Sequence, residues 1–299
     1  MSRGVRSEVV DQALANIDEP LPVIIESDRT QAEVRTPLER YVARRLTPRM
    51  INRGREMQGQ NQMLLAEIAS RYGVAPRVIV AVWGIESNFG RVTGKQPTIP
   101  ALATLAWDPR RSTLFRAELI DALEILNRGD VDLAHMRGSW AGAMGQVQFL
   151  PSSYLQFAED FDHDGRRDIW STPADVFASI ANYLKGHGWM ENVMWGREVK
   201  VPPGAARKIA DLERGGSGCH AMREMPLPRP VAEWEKLGVR SLSGGRLPRT
   251  LPDTSIVSGA SRHFLVSRNY GVLLEYNCAH TYAVTVGLLA DRIARSETQ

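Results

Sequence analysis

Two stretches of the 299-residue chain carry side chains whose type and spacing could do chemistry. In AVWGIESNFG, residues 81–90, a lone carboxylate, Glu86, stands at the end of the most apolar helical run. On a helix it shares a face with Trp83, Val82 and Ile79. Apolar neighbours disfavour a charged carboxylate, and the negative end of the helix macrodipole acts in the same direction, so a raised pKa is expected. A carboxylic acid still protonated near neutral pH is what a general acid for glycosidic cleavage requires. Taken alone, the local context favours a blander alternative, a solvent-facing glutamate in the last turn of a helix.

The second stretch is DFDHDGRRDIW. It sets Asp160, Asp162 and Asp164 on alternating positions, Gly165 at the sharp turn and Asp168 at the ninth position of an EF-hand-type calcium loop. Such a loop needs oxygen ligands at its first, third and fifth positions, a backbone carbonyl at the seventh, here Arg166, and a late carboxylate. The usual twelfth-position glutamate is missing: Ser171 stands there, and Asp175, the next acid, is expected as the late ligand of a wider loop. The ion is expected to be a structural Ca2+, because a saturated oxygen shell leaves little to activate a substrate. A solvated acidic turn and a calcium-sensing loop are the alternatives.

Between these stretches lies GSWAGAMGQVQF, residues 138–149. Its glycines and alanines let backbone approach a ligand closely, while Ser139, Gln146 and Gln148 offer hydrogen bonds suited to a sugar polymer. Trp83, Trp107, Trp140, Trp170, Trp189 and Trp195 all fall between residues 83 and 195; some could stack on sugar rings, although core packing is expected of most. No H-E-x-x-H, G-x-S-x-G or P-loop spacing occurs, which removes the main supports for metallopeptidase, serine hydrolase and nucleotide-binding chemistry. Asp108 and Asp121 remain available as second carboxylates for an ordinary two-acid glycosidase.

Helices must position these groups. Helical patterns are expected over 36–46 and 47–73, from Pro76 to Asn88 with Gly90 as the stop, and at LFRAELIDALEILNRG, PSSYLQFAEDF, TPADVFASIANYLKGHGW and HTYAVTVGLLADRIARS. Residues 201–252 are rich in proline and glycine and read as loops and short strands. HFLVSRNYGVLLEYN reads as a late hairpin. The expected division is an N-terminal helical segment, 1–72, packing with the last helix, 280–299; a catalytic core, 73–200; and a Pro/Gly-rich region, 201–279. The chain has the composition of a globular protein, with 43% hydrophobic and 24% charged residues. A net charge of +3 without a basic block argues against nucleic acid but not against an acidic polymer. No apolar run is long enough to span a membrane, and MSRGVRSEVV lacks the pattern of a secretory signal. Cys219 and Cys278 could be free thiols or one disulfide.

GIESNFGR, ALATLAWDPRR, GSWAGAMGQVQFLPSSY, the aspartate loop, KGHGW and EYNCAHTYAVTVGLLADRI together resemble the lytic murein transglycosylases of the MltB type, in consistent order from about Thr36 onward. The resemblance implies an α+β, mainly α-helical protein: a lysozyme-like core with a helical flanking domain and a small β-rich insert. It implies cleavage of the MurNAc–GlcNAc bond of peptidoglycan with formation of a 1,6-anhydro ring. It further implies Glu86 as the catalytic residue, Ser139 and Gln148 lining the glycan cleft, and Tyr183 flanking the carboxylate. Tyr276, Asn277 and Tyr282 would close the site, and the acidic loop would be a calcium site. Peptidoglycan strands are the implied partner, a monomer the expected state, and the periplasm or the outer membrane the implied location. Gln146, where some members carry an aromatic residue, and Cys278, in place of a small hydroxylic one, depart from the pattern. A catalytically silent peptidoglycan-binding scaffold and a hydrolytic muramidase are the rival readings.

Overall fold

The structure, a computed structural model, describes residues 4–30, 36–215, 217–249, 251 and 253–294. The start of MSRGVRSEVV and the end of the last helical pattern lie outside them. Fifteen described helices are α1 (Ser7–Leu14), α2 (Pro22–Arg29), α3 (Leu38–Arg45), α4 (Pro48–Gln60), α5 (Gln62–Tyr72), α6 (Pro76–Ser87), α7 (Thr98–Trp107), α8 (Ser112–Arg128), α9 (Pro151–Phe157), α10 (Pro173–Gly186), α11 (Pro203–Ala210), α12 (His220–Glu224), α13 (Val231–Leu237), α14 (Arg268–Tyr276) and α15 (His280–Ala294). The strands are β1 (Gln96–Pro97), β2 (Arg137–Gly138), β3 (Gly196–Lys200), β4 (Arg240–Ser241), β5 (Ser255–Ser258) and β6 (His263–Val266).

Contacts divide the chain into two compact units: 1–33, 63–68 and 82–183 form the first, and 34–62, 69–81 and 184–299 the second. This cut interleaves segments that the sequence order kept apart. In the first unit α7 and α8 pack along each other, with Ile99, Leu102 and Leu105 of α7 and Phe115, Ala122 and Ile125 of α8 all buried. Helix α9 leans on α8. Glu118 of α8, itself only 4% exposed, receives both the backbone N–H (2.9 Å) and the hydroxyl (2.7 Å) of Ser152, and so caps α9 from a distance. Helices α1 and α2 pack on this pair, α2 fixed by the ion pairs of Asp28 with Arg110 (2.7 Å) and Arg111 (3.1 Å).

In the second unit α15 packs on α3, α4 and α14, and a four-stranded antiparallel sheet runs in the order β4-β3-β6-β5. The sheet covers a separate core around the fully buried Trp234 of α13, with Val199, Ile209, Val231, Ile256 and Leu265. The Pro/Gly-rich region is therefore not loops and strands alone: α11, α12 and α13 lie in it.

Two further expectations need correction. The pattern over 47–73 is two helices, broken at Asn61, whose side-chain amide donates to the Met57 carbonyl at 2.8 Å. The expected late hairpin is β6 followed by a helix. Ser267 caps α14 by accepting from Asn269 N, and Tyr270, Leu273 and Leu274 are buried at helical spacing; the hairpin partner of β6 is β5.

Candidate active site

Helix α6 is apolar on every side from Val78 to Ile85, and Ile79 through Val82 are fully buried. Glu86, in its last turn, is the first residue after this buried stretch to be partly exposed. The chain then reverses abruptly. Asn88 (φ 50°), Phe89 (φ 58°) and Gly90 (φ 77°) occupy the left-handed region in succession, which is costly for the two non-glycines. Buried contacts hold the turn. The hydroxyl of Ser87, a residue with 0% exposure, donates to the Trp83 carbonyl (3.2 Å) and accepts from Gly90 N (3.1 Å). The ring of Phe89 packs edge-on against Trp83 at 5.5 Å. Glu86 therefore emerges at a fixed point, with no free last turn to fray.

Gln146 joins this turn to the rest of the first unit. Its amide oxygen accepts from Trp83 Nε1 (2.8 Å), its nitrogen donates to the Trp170 carbonyl (2.7 Å), and a Cβ on Gly90 would lie 2.3 Å from its oxygen. Gln146, whose type and place suit a ligand-facing group, is instead an internal strut. The glycines have a similar explanation. A Cβ at Gly94 would stand 2.0 Å from the Gly138 carbonyl oxygen, and one at Gly138 2.0 Å from that of Ala143. These residues let the β1–β2 pair and the following turn press backbone on backbone, a packing role that the expectation of close ligand approach overlooked. Ser139 accepts from Ala141 N and Ala143 N, each at 3.2 Å, which leaves its O–H as the group it can offer a ligand. Gln148, at φ 53°, donates to the carbonyls of Thr93 (3.0 Å) and Gly145 (2.8 Å), so its amide oxygen is the acceptor it can present. Tyr183 of α10 is 7% exposed and packs on Phe149 (5.3 Å between rings) and Phe157 (4.8 Å).

In the acidic loop the carboxylate oxygens of Asp160, Asp162 and Asp164 come within 4.8 Å of one another. They accept backbone N–H groups of the loop itself: Asp164 N and Gly165 N reach Asp160 (3.1 and 3.0 Å), and Arg166 N reaches Asp164 (2.8 Å). Asp168 stands outside that trio and caps the next turn, accepting from Trp170 N (2.8 Å) and Ser171 N (2.9 Å). Asp175, fully buried at the start of α10, accepts from Phe161 N (2.7 Å) and Asp168 N (2.8 Å) and so ties the two ends of the loop together. Burial pushes its carboxyl up to about 6 against the pull of those two N–H groups, with the charges of Asp162 and Asp160 adding to the rise. Three converging carboxylates that share only backbone N–H groups suit a hard divalent cation. The loop is also linked to the strut, since the Ile169 carbonyl receives Gln146 N at 2.8 Å.

Tyr276, Asn277 and Tyr282 belong to the second unit. The two tyrosine rings are stacked 6.2 Å apart, Tyr282 is 3% exposed, and Asn277 is exposed at the end of α14. Next to them Cys278 forms a disulfide with Cys219, with Cα atoms 6.0 Å apart. Of the tryptophans, Trp83 and Trp195 are core residues, whereas Trp107 is 64% exposed. Asp108 is engaged by Arg110 at 2.6 Å, whose hydrogen bonds hold the carboxyl down to about 2, which suits an ion pair and not a proton carrier.

The family described as Transglycosylase SLT domain matches residues 1–291. The chain belongs to that family. It is 41% identical over 266 residues to membrane-bound lytic murein transglycosylase B of Escherichia coli K12, an alignment covering 87% of this chain and 68% of that protein. SltB3 of Pseudomonas aeruginosa, solved in complex with NAG-anhNAM-pentapeptide, superposes with a TM-score of 0.87 at 40% identity, over 97% of this chain and 75% of that one. The E. coli lytic transglycosylase Slt35 in complex with calcium superposes with a TM-score of 0.81 at 27% identity, over 98% and 89%. The mainly helical, lysozyme-like α+β fold of this transglycosylase is thus shared along almost its whole length.

Proposed function

We propose that Glu86 serves this enzyme as general acid and then as general base. Family membership makes the chain a lytic transglycosylase of peptidoglycan. The observation that carries the assignment is a carboxylate at the partly exposed end of a buried helix, held there by Ser87, Phe89 and the Gln146 strut. Protonated Glu86 gives its proton to the glycosidic oxygen as the bond to the MurNAc anomeric carbon breaks, and the bonding pair leaves with that oxygen as a hydroxyl on GlcNAc. The substrate's own 2-acetamido oxygen supports the positive charge at the anomeric carbon, taking the place of a second protein carboxylate. Glu86, now ionised, removes the proton from the C6 hydroxyl as O6 bonds to the anomeric carbon, which closes the 1,6-anhydro ring. Ser139 and Gln148 orient the glycan through one hydroxyl donor and one amide acceptor. Tyr183 supports the cleft wall through Phe149. In the second unit the stacked rings of Tyr276 and Tyr282, with the exposed Asn277, offer groups of a kind that recognise sugars.

Asp160, Asp162 and Asp164, with the Arg166 carbonyl, would hold a structural Ca2+; Asp168 and Asp175 brace the loop around it and can supply a late ligand. The proposed setting is the periplasmic side of the envelope, with peptidoglycan strands as partner and a monomer as the working state. The Cys219–Cys278 disulfide fits an oxidising compartment, and the E. coli relative is named membrane-bound. No described helix is long and apolar enough to cross a membrane.

Mass spectrometry of digested sacculi tests the reaction. Anhydro-ended muropeptides are expected; reducing ends one water heavier would make the enzyme a muramidase. Retained glycan binding with no product from the wild type would make it a scaffold.

A further inference from the structure

A cavity of about 350 Å³, a volume suited to a small ligand, lies wholly within the second unit. Its walls come from the end of α5 and the turn that follows it, the first turn of α6, the 189–195 loop and the residues Ala290 and Asp291 of α15. The loop is firmly built. Asn269, with 0% exposure, accepts from Met190 N (2.7 Å) and donates to the carbonyls of Met190 (2.8 Å) and Val193 (2.7 Å). Ser267 donates to the Met194 carbonyl at 2.5 Å. Glu191 and Asn192 are thus presented by backbone anchored on both sides, and Asn192 is held at φ 61°.

The charges are placed with similar care. Arg77 brings a guanidinium from α6, whose positive helix end opens on the cavity. Glu191 lies across Gly73, its Oε2 3.5 Å from where a Cβ would stand, and Asp291 accepts from Trp195 Nε1 at 3.2 Å. Val74, Val78 and the half-buried Trp189 supply apolar wall. A cationic group with a helix N-terminus, two carboxylates and an aromatic surface together match a ligand that carries carboxylate and ammonium on an aliphatic stem.

We propose that this cavity binds the zwitterionic α-amino-acid end of a peptidoglycan peptide side chain. The ligand carboxylate meets Arg77 and the start of α6, its ammonium meets Asp291 and Glu191, and its stem lies on Trp189. The proposal rests on the reading of the chain as a peptidoglycan enzyme and adds a peptide subsite that the glycosidic chemistry does not require.

Calorimetric titration of the full chain with 2,6-diaminopimelate, which carries such an end on an aliphatic chain, is expected to show one saturable site. Pimelate, without ammonium groups, and 1,5-diaminopentane, without carboxylates, should bind at least about tenfold more weakly, since each forgoes one of the two charge-assisted contacts. Arg77→Met and Glu191→Gln should each weaken diaminopimelate at least about tenfold while melting like the wild type, and Glu86→Gln should leave its binding unchanged. Absence of saturation up to ~10 mM, equal binding of all three probes, or indifference to both substitutions in folded protein would overturn the proposal. Sacculus lysis is measured on the same preparations. An active enzyme that ignores diaminopimelate removes the pocket assignment alone, whereas saturable binding by a preparation that releases no anhydro ends removes the catalytic reading alone.

Discussion

The turn after Glu86 and the loop that starts at Asp160 both force non-glycine residues into the left-handed region, Asn88 and Phe89 in one and His163 in the other, by opposite means. The turn is held by neutral groups: a hydroxyl, an amide and an aromatic ring, all with protein partners. The loop draws three carboxylates together, whose mutual repulsion a bound cation would offset. A catalytic carboxylate is best carried by a support that needs no ligand and adds no charge to perturb it. A loop that only braces the fold can leave its completion to an ion.

The contrast can be broken in four ways, from the largest expected effect to the smallest. Glu86→Gln should lower the rate of anhydro-muropeptide release by about 10²–10⁴-fold with no change in the melting curve. A parallel loss of stability would mean that the carboxylate is part of the support. Gly94→Ala, which puts a methyl 2.0 Å from a carbonyl oxygen at a φ of 86°, should destabilise by roughly 3 kcal/mol in a denaturant titration; a value near zero would refute close backbone packing as the reason for the glycines. Removing Ca2+ with a chelator should cost about 2.7 kcal/mol relative to protein with the ion at 100 times its dissociation constant, seen as a lower melting temperature. Activity of the protein that remains folded should stay nearly constant. A loss of turnover without a loss of stability would turn the loop into a regulatory input. Gln146→Leu should cost roughly 2 kcal/mol, because Trp83 Nε1 and the Trp170 carbonyl lose their partner, and activity should fall with stability. If the variant melts normally, the strut has been misread.

The legible parts of the molecule were those written in local code. The apolar run before Glu86, the left-handed glycines that end α5 and α8, the proline starts of α6 and α9 and the aspartate period all depend on neighbours in sequence. Motif order along the chain placed the family. What escaped was decided by distant partners. Ser267 and the buried Leu273 made a helix of the expected hairpin, and the second core made helices of the Pro/Gly-rich region. Gln146 has the same residue type whether it faces a sugar or Trp83; only the fold decides. Its one local clue was Trp83, on the same face of α6 as Glu86, with an indole N–H that would need an acceptor once buried. The pinning of the 189–195 loop by Asn269 leaves no local trace, because its partners are about eighty positions away.

The Cys219–Cys278 bond bears on when the enzyme is finished. The second sulfur is synthesised 59 residues after the first, and α13, β4, β5, β6 and α14 all lie in the ring the bond closes. During synthesis that ring stays open, and it shuts when the two sulfurs meet in the presence of an oxidant. The enzyme thereby receives its last covalent tie only under oxidising conditions, and copies kept in a reducing environment lack it.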